Sequence, residues 1–367
     1  MKCAKILVAA WVILLPFGLN AAEWQAEWER TLEAAKKEGK LVIGMSPNPE
    51  LRKQWESLLK QRFGIEVEIL AARGPDTAAR IVSESKAGVR YFDVYFFGGC
   101  GGASLIHQGV LDPLEPFMIL PEVKEAKNWW GGHIWMDNVD TNRYFYTFVA
   151  DSGQSSVWFN PNLTKPEELR SYDDLLNPKF KGKIGFLDPR SAGAGQSTWS
   201  YLWLIKGEDY LRKLVKQELL ISGNRRQLAE ALGHGKVAVT FGVSQYEYLP
   251  FIQAGLPMKK LPSFREGEPA SSGAGNVGIV KNPPHPNATK VFINWVLGKE
   301  GQDLWTRVME QPTRRLDVDT KWLLEKGVDP AKDTLTVEQF HKVQNFLEDR
   351  CIKIREPASK FAETILK

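Results

Sequence analysis

The sequence predicts an α/β protein built as two units. Three features carry that expectation: helix and strand periodicities alternate through residues 23–97, they break between Pro113 and Gly132, and they resume from Lys183 onward. In the first unit Trp24, Trp28, Leu32 and Ala35 recur at spacings of four, four and three, which places them on one face of a helix that Gly39 can end. Leu41 to Met45 reads as a buried strand. Leu51, Trp55, Leu58 and Leu59 mark a second helix, and the alternation of Ile65, Val67 and Ile69 marks a second strand. A helix around Ile81 and Val82 and a strand from Asp93 to Phe97 follow.

Strands joined by helices of this length give a parallel-rich sheet, whose ligands sit beyond the carboxyl ends of the strands. The turns Ser46 to Pro49 and Gly98 to Gly102 are therefore the first places to expect a site. Past the break, Tyr144, Phe145, Tyr146 and Phe148 form a β-rich stretch, and the boundary is expected at 135–136. The second unit has a strand at Lys183–Leu187, helices at Ser197–Gln217 and Arg225–Leu232, a strand at Val237–Phe241 and a helix at Gln245–Ala254. After Pro262 the glycine-rich run Ser271–Gly278 precedes a strand, then helices through Phe292, Trp295 and Leu304.

Residues 1–22 have the layout of a secretory leader: Lys2 and Lys5, the apolar run Ile6–Leu15, then Leu19, Asn20, Ala21 and Ala22 as a small-residue cleavage region. The run is too short for a membrane span, and no other stretch approaches 18 consecutive apolar residues. The chain carries 48 Lys and Arg against 44 Asp and Glu, with two of the basic residues in the leader, so it offers no single-sign field for nucleic acid or anionic membrane. Its 13 Trp and 18 Phe can fill a large interior. Roughly 345 residues beyond the leader suggest two cores rather than one. Cys100 and Cys351 are the cysteines left after the leader, and their separation signals neither a disulfide nor a metal. An oxidising compartment would permit a bridge between them, but Cys100 free in a ligand loop, or simply buried, is expected first.

The run Gly275–Lys290 (GNVGIVKNPPHPNATK), continuing into Phe292–Trp295 and Gly298–Gln302, resembles a diagnostic region of the bacterial family 1 extracellular solute-binding proteins, close to their ferric-iron-type branch. Tyr172–Ile184 (YDDLLNPKFKGKI), Asp188–Gly195 and Arg314–Val318 suggest the same branch, in the family's order, over nearly the whole chain. The resemblance implies a two-lobed periplasmic binding protein fold, type II-like, with mixed sheets flanked by helices and a ligand cleft between lobes. Lobe 2 (136–262) would be inserted in lobe 1 (23–135 and 263–315), and C-terminal helices (316–367) would pack on lobe 2. It also implies a periplasmic monomer, without catalysis or cofactor, that serves the permease subunits of an ABC importer.

Several residues are candidates for that cleft. Asp188 to Thr198 joins a strand to a helix, so its N–H groups, Ser191 and the Arg190 guanidinium can converge on an anion, although a helix cap explains the same pattern. Ser46 and Asn48 follow the first strand, where short hydroxyl and amide groups can reach a ligand and where the turn chemistry of Ser-Pro-Asn-Pro explains them equally well. Gly99 and Cys100 lie in a loop that lets backbone approach a ligand, Asn276 is the second residue of the diagnostic run, and Tyr246 lies at the start of a helix. Ferric-iron binders carry two adjacent tyrosines there. Here Gln245 adjoins Tyr246 and Tyr248 is two residues on, so a small anionic or polyol-like solute, caught by hinge closure, is expected first and ferric iron, alone or with an anion, second. None of the five histidines has zinc-site spacing, and His285 is assigned to the fold. Nucleophile-elbow and phosphate-loop motifs are absent. A secreted enzyme and a subunit that presents ligand to a membrane receptor are the competing readings.

Overall fold

The computed structural model describes residues 17–72, 74–139, 141–152, 157–243 and 245–366. Residues 1–16 of the expected leader lie outside them. Its remainder joins the helix Phe17–Glu38, in which Ala35 is buried and Trp28 and Leu32 pack against the core.

Two sheets organise the described residues. The first contains β1 (Lys40–Met45), β2 (Glu66–Ala71), β3 (Val94–Phe97), β4 (Leu111–Asp112), β5 (Phe145–Thr147) and β11 (Asn276–Val280), in the order β2-β1-β3-β11-β4 with β5 also on β11. The second contains β6 (Trp158–Phe159), β7 (Ile184–Leu187), β8 (Leu220–Ser222), β9 (Val239–Phe241) and β10 (Lys259–Lys260), ordered β10-β6-β9-β7-β8. Strand alternation sets the packing. Val94 and Phe96 join Trp55, Phe148, Phe292 and Trp305 on one face of the first sheet, while Tyr95 and Phe97 join Ala78, Ile81 and Phe145 on the other. Trp55 meets Phe292 edge-on at 5.1 Å and Phe96 at 5.4 Å, contacts that add to simple area burial.

Local chemistry fixes several ends. Asn48 caps the helix Pro49–Phe63 by accepting from Leu51 N at 2.8 Å, Pro49 supplies a preset first turn, and Gly64 closes it in the left-handed region (φ 71°). His285 has the fold role expected of it: the buried Asp93 carboxylate accepts from Val42 N, from His285 N and from its ring Nδ1, at 2.8, 2.8 and 2.9 Å. Arg314, wholly buried, donates to the carbonyls of Thr147, Trp130 and Gly132, and so bolts the last strand before the crossing to the 129–132 turn.

The crossing lies later than periodicity suggests. The boundary was expected at 135–136, but β5 pairs with β11 in the first sheet, so the chain leaves lobe 1 after Thr147 and enters lobe 2 at Trp158. It returns between Lys260 and Asn276, and the two connections pair with each other through Asp151 and Ser271, N–H to carbonyl in both directions at 2.9 and 2.7 Å. The C-terminal segment is more than a lobe 2 cover. Ala331 N donates to Ala150 O at the crossing, and Phe340, Phe346 and Leu347 pack with Ile134, Ala150 and Ala270. Glu348 and Asp349 bond to Val139 and Asn138 of lobe 1, and Ala358, Phe361, Ala362 and Leu366 join the lobe 2 core.

Candidate functional site

The registers place the strand ends. Thr147 lies opposite Asn276, and Asn276 opposite Phe97, so the chain departs from the edge where the parallel strands β1 and β3 end. It arrives at Trp158 opposite Thr240, near the end of β9, which is parallel to β7, and it leaves again from Lys260 opposite Trp158. Both crossings therefore join the carboxyl edges of the two parallel sets. The cleft between those edges is where an open α/β sheet offers backbone N–H groups and short side chains to a ligand.

On the lobe 1 edge, half-buried Ser46 follows β1 directly and Asn48 serves as the helix cap, its amide also 3.1 Å from Met309 Sδ. Gly99 and Cys100 form a 3₁₀ turn after β3. Glycine is required just before it, because a Cβ on Gly98 would lie 1.3 Å from the Gly273 carbonyl oxygen of the returning connection. Asn276 is buried with both amide atoms engaged, accepting from Thr147 Oγ1 at 2.6 Å and donating to Ser272 Oγ at 3.1 Å. Its role in this structure is to bind the two connections together.

The cysteines depart from expectation. Cys100 is neither free nor merely buried: it forms a disulfide with Cys351, the Cα atoms 5.6 Å apart. Sequence spacing held no sign of this pairing, since the C-terminal segment is brought to the lobe 1 loop by tertiary packing.

On the lobe 2 edge the turn after β7 leads into the helix Ala194–Val215, interrupted at Gly207 (φ 77°). Gly193 precedes it in an extended left-handed conformation (φ 147°) and no side chain caps its N-terminus, so the first-turn N–H groups of Ala194, Gly195 and Gln196 have no intrahelical acceptor. Gly195 sits hard against the strand end. Gly195→Ala would put a methyl 2.2 Å from Leu187 O, so we expect thermal unfolding to show a loss of about 1–3 kcal/mol, whereas Gly193→Ala meets no neighbouring atom and costs only backbone strain.

Arg190 does not hang free over this turn. Its Nε and Nη2 donate to the two Asp188 carboxylate oxygens at 2.8 and 2.7 Å, holding that carboxyl below its ordinary range. Ser191 is exposed. Tyr246 lies in the first turn of the helix Gln245–Gln253, and its side chain is outside the described residues. Tyr248 is buried, its hydroxyl 2.7 Å from Thr240 Oγ1 and its ring stacked on Trp158 at 4.5 Å, and burial raises its pKa far above the usual tyrosine range. Trp129 and Trp199 are buried core residues. Among the described residues, no three His, Cys, Asp or Glu side chains converge as a metal site.

Residues that sequence reasoning missed arrive from the C-terminus. Asn345 Nδ2 donates to Ser197 O at 2.8 Å, Ser359 Oγ donates to Pro189 O at 3.1 Å, and Arg355 Nη2 donates to Gly193 O and Gln196 Oε1 at 3.2 and 3.0 Å. A groove of about 770 Å³ lined by Trp28, Leu32, Arg62, Trp295 and Glu300 contains none of the strand-end residues.

The family model of bacterial extracellular solute-binding proteins matches residues 48–303. The chain belongs to that family. The solute-binding protein is 22% identical over 288 residues to the "Fe(3+)-binding periplasmic protein" of Serratia marcescens, covering 74% of this chain and 78% of the relative. A Trichodesmium protein (IdiA, FutA) in complex with iron and citrate superposes with a TM-score of 0.67 at 17% identity, over 89% of this chain and 99% of the other. The periplasmic binding protein AfuA from Actinobacillus pleuropneumoniae, with fructose-6-phosphate bound, gives 0.62 at 19% over the same shares. These likenesses show the two-lobed fold. The solute-binding protein is thus the extracytoplasmic component of an importer of the ABC class, which works with membrane permeases and binds small molecules.

Proposed function

We propose that this solute-binding protein captures a small solute bearing an oxoanion group, in the periplasm after removal of residues 1–22, as a non-catalytic monomer. The observation that carries the reading is the uncapped N-terminus of the Ala194–Val215 helix at the lobe 2 edge that faces lobe 1. A helix start presents N–H donors and a partial positive charge of about half an electron to an anion. Ser46, Gly99 and Ser191 supply further backbone and hydroxyl groups, and closure about the paired connections brings the lobes together on the ligand. The ligands bound in the two similar structures, citrate beside iron and fructose-6-phosphate, both carry such groups. Ferric iron without an anion is the weaker reading, because Tyr248 is committed to Thr240 and Trp158.

Native mass spectrometry of the protein taken from its own periplasm, with metal analysis alongside, tests the class of cargo. A retained phosphate or carboxylate compound supports the reading, and a neutral sugar or bare iron overturns it. Arg190 gives a second test. Arg190→Ala strips Asp188 of its counter-ion and leaves a carboxylate beside the anion seat, so affinity should fall at least about tenfold, or 1.4 kcal/mol. Removing Asp188 as well should restore most of that loss.

A further inference from the structure

The N-terminus of the Ala194–Val215 helix has a second positive group against it. Arg355, on the π-helical turn Cys351–Arg355, is 5% exposed and reaches the first helical turn through Nη2. Its Nε is buried without an acceptor, and among the described residues no carboxylate pairs with it. One turn into the helix, Thr198 Oγ1 is also buried without a partner. Burial lowers the Arg355 pKa to about 10, which leaves it a cation at neutral pH. A desolvated guanidinium beside the positive end of a helix is two like poles with no counter-charge, an arrangement that favours an anion shared by both. Arg190 lacks this property, because Asp188 already neutralises it. Docking of the segment does not need the charge either: Asn345, Ser359 and the Trp199 Nε1 bond to Ala358 O hold it on the helix.

We propose that Arg355 is a ligand-binding residue, which together with the N–H groups of Ala194, Gly195 and Gln196 seats the phosphate or carboxylate head of the solute. The inference rests on the oxoanion reading above and adds that the C-terminal segment, held to lobe 1 by the Cys100–Cys351 disulfide, forms one wall of the site. Inorganic phosphate, citrate and fructose-6-phosphate are the probes, titrated calorimetrically into ligand-free full-length protein, with thermal melts in parallel. Wild type should bind at least one of them. Arg355→Met should weaken that binding about 30-fold or more, while its ligand-free Tm stays level or rises because an unneutralised charge has gone. Arg355→Lys should recover part of the affinity. If the Met variant does not fold, Arg355→Gln carries the same comparison. Wild-type affinity in the variant, or a ligand-free Tm that falls as far as the ligand-bound one, overturns the role of Arg355 and leaves the oxoanion reading standing. A wild type that binds none of the probes and retains a neutral solute overturns both.

Discussion

Glu268→Gln should remove a loss of stability expected of the wild-type protein between pH 4.5 and pH 8. Glu268 lies on the connection returning from lobe 2, 6% exposed, with Oε2 lacking a hydrogen-bond partner. Burial above all, opposed by Lys260 and helped by the nearby carboxylates of Asp329 and Asp151, raises its pKa from 4.5 to about 8. The folded carboxyl is therefore still protonated where the unfolded one has ionised. A native state that binds the extra proton loses stability as pH rises, so the contribution is complete below pH 4.5 and is lost by about pH 8. Linkage puts the loss at about 4–5 kcal/mol, the order of a large single-residue effect. Denaturant midpoints measured from pH 4.5 to 8.5 should fall less steeply in the glutamine variant by that amount. Parallel profiles for the two proteins would sink the idea. Since Asp151 and Ser271 pair the two connections beside this carboxyl, its ionisation acts at the crossing between the lobes.

Cys351→Ser should cost about 2–5 kcal/mol, with the reduced wild-type protein matching it. The disulfide closes a loop of 251 residues, so it removes a large share of the unfolded chain's freedom, and it fastens the C-terminal segment to the turn after β3. Cys100→Ser and the double variant should lose no more than either single one, because both ends belong to one bond. Urea midpoints with and without reductant check this, and free thiols in protein isolated from the periplasm would contradict it.

Part of this fold is legible in short stretches of the chain. Leu41–Met45, Ile65–Ile69 and Lys183–Leu187 announce themselves as strands because a buried strand must be apolar on the faces it covers, a property of neighbours in the chain. Asn48, Pro49 and Gly64 mark a helix for equally local reasons. Phe145–Thr147 is different. Its strand character is local, but its assignment to lobe 1 depends on pairing with Asn276–Gly278, far away in sequence. Arg190 and Arg355 make the same point about the site. Sequence adjacency to the Asp188–Thr198 turn favours Arg190, yet Asp188 captures it two residues away, while Arg355 reaches the turn across more than 150 positions. A known disulfide at Cys351 is the one clue that would have drawn attention to Arg355, a turn further on.

The sequence by itself determined the alternation of helices and strands, the family, the leader-like start and the strand-end turns where a ligand is expected, because periodicity, caps and contiguous motifs are short-range physics. Tertiary structure alone decided where the chain crosses between lobes, that Cys100 and Cys351 meet, that Asn276 and Tyr248 are spent on internal bonds, and which arginine is left without a counter-charge. Those outcomes depend on distances between groups remote in the chain, and a buried charge or amide is satisfied or left wanting only once every neighbour is in place.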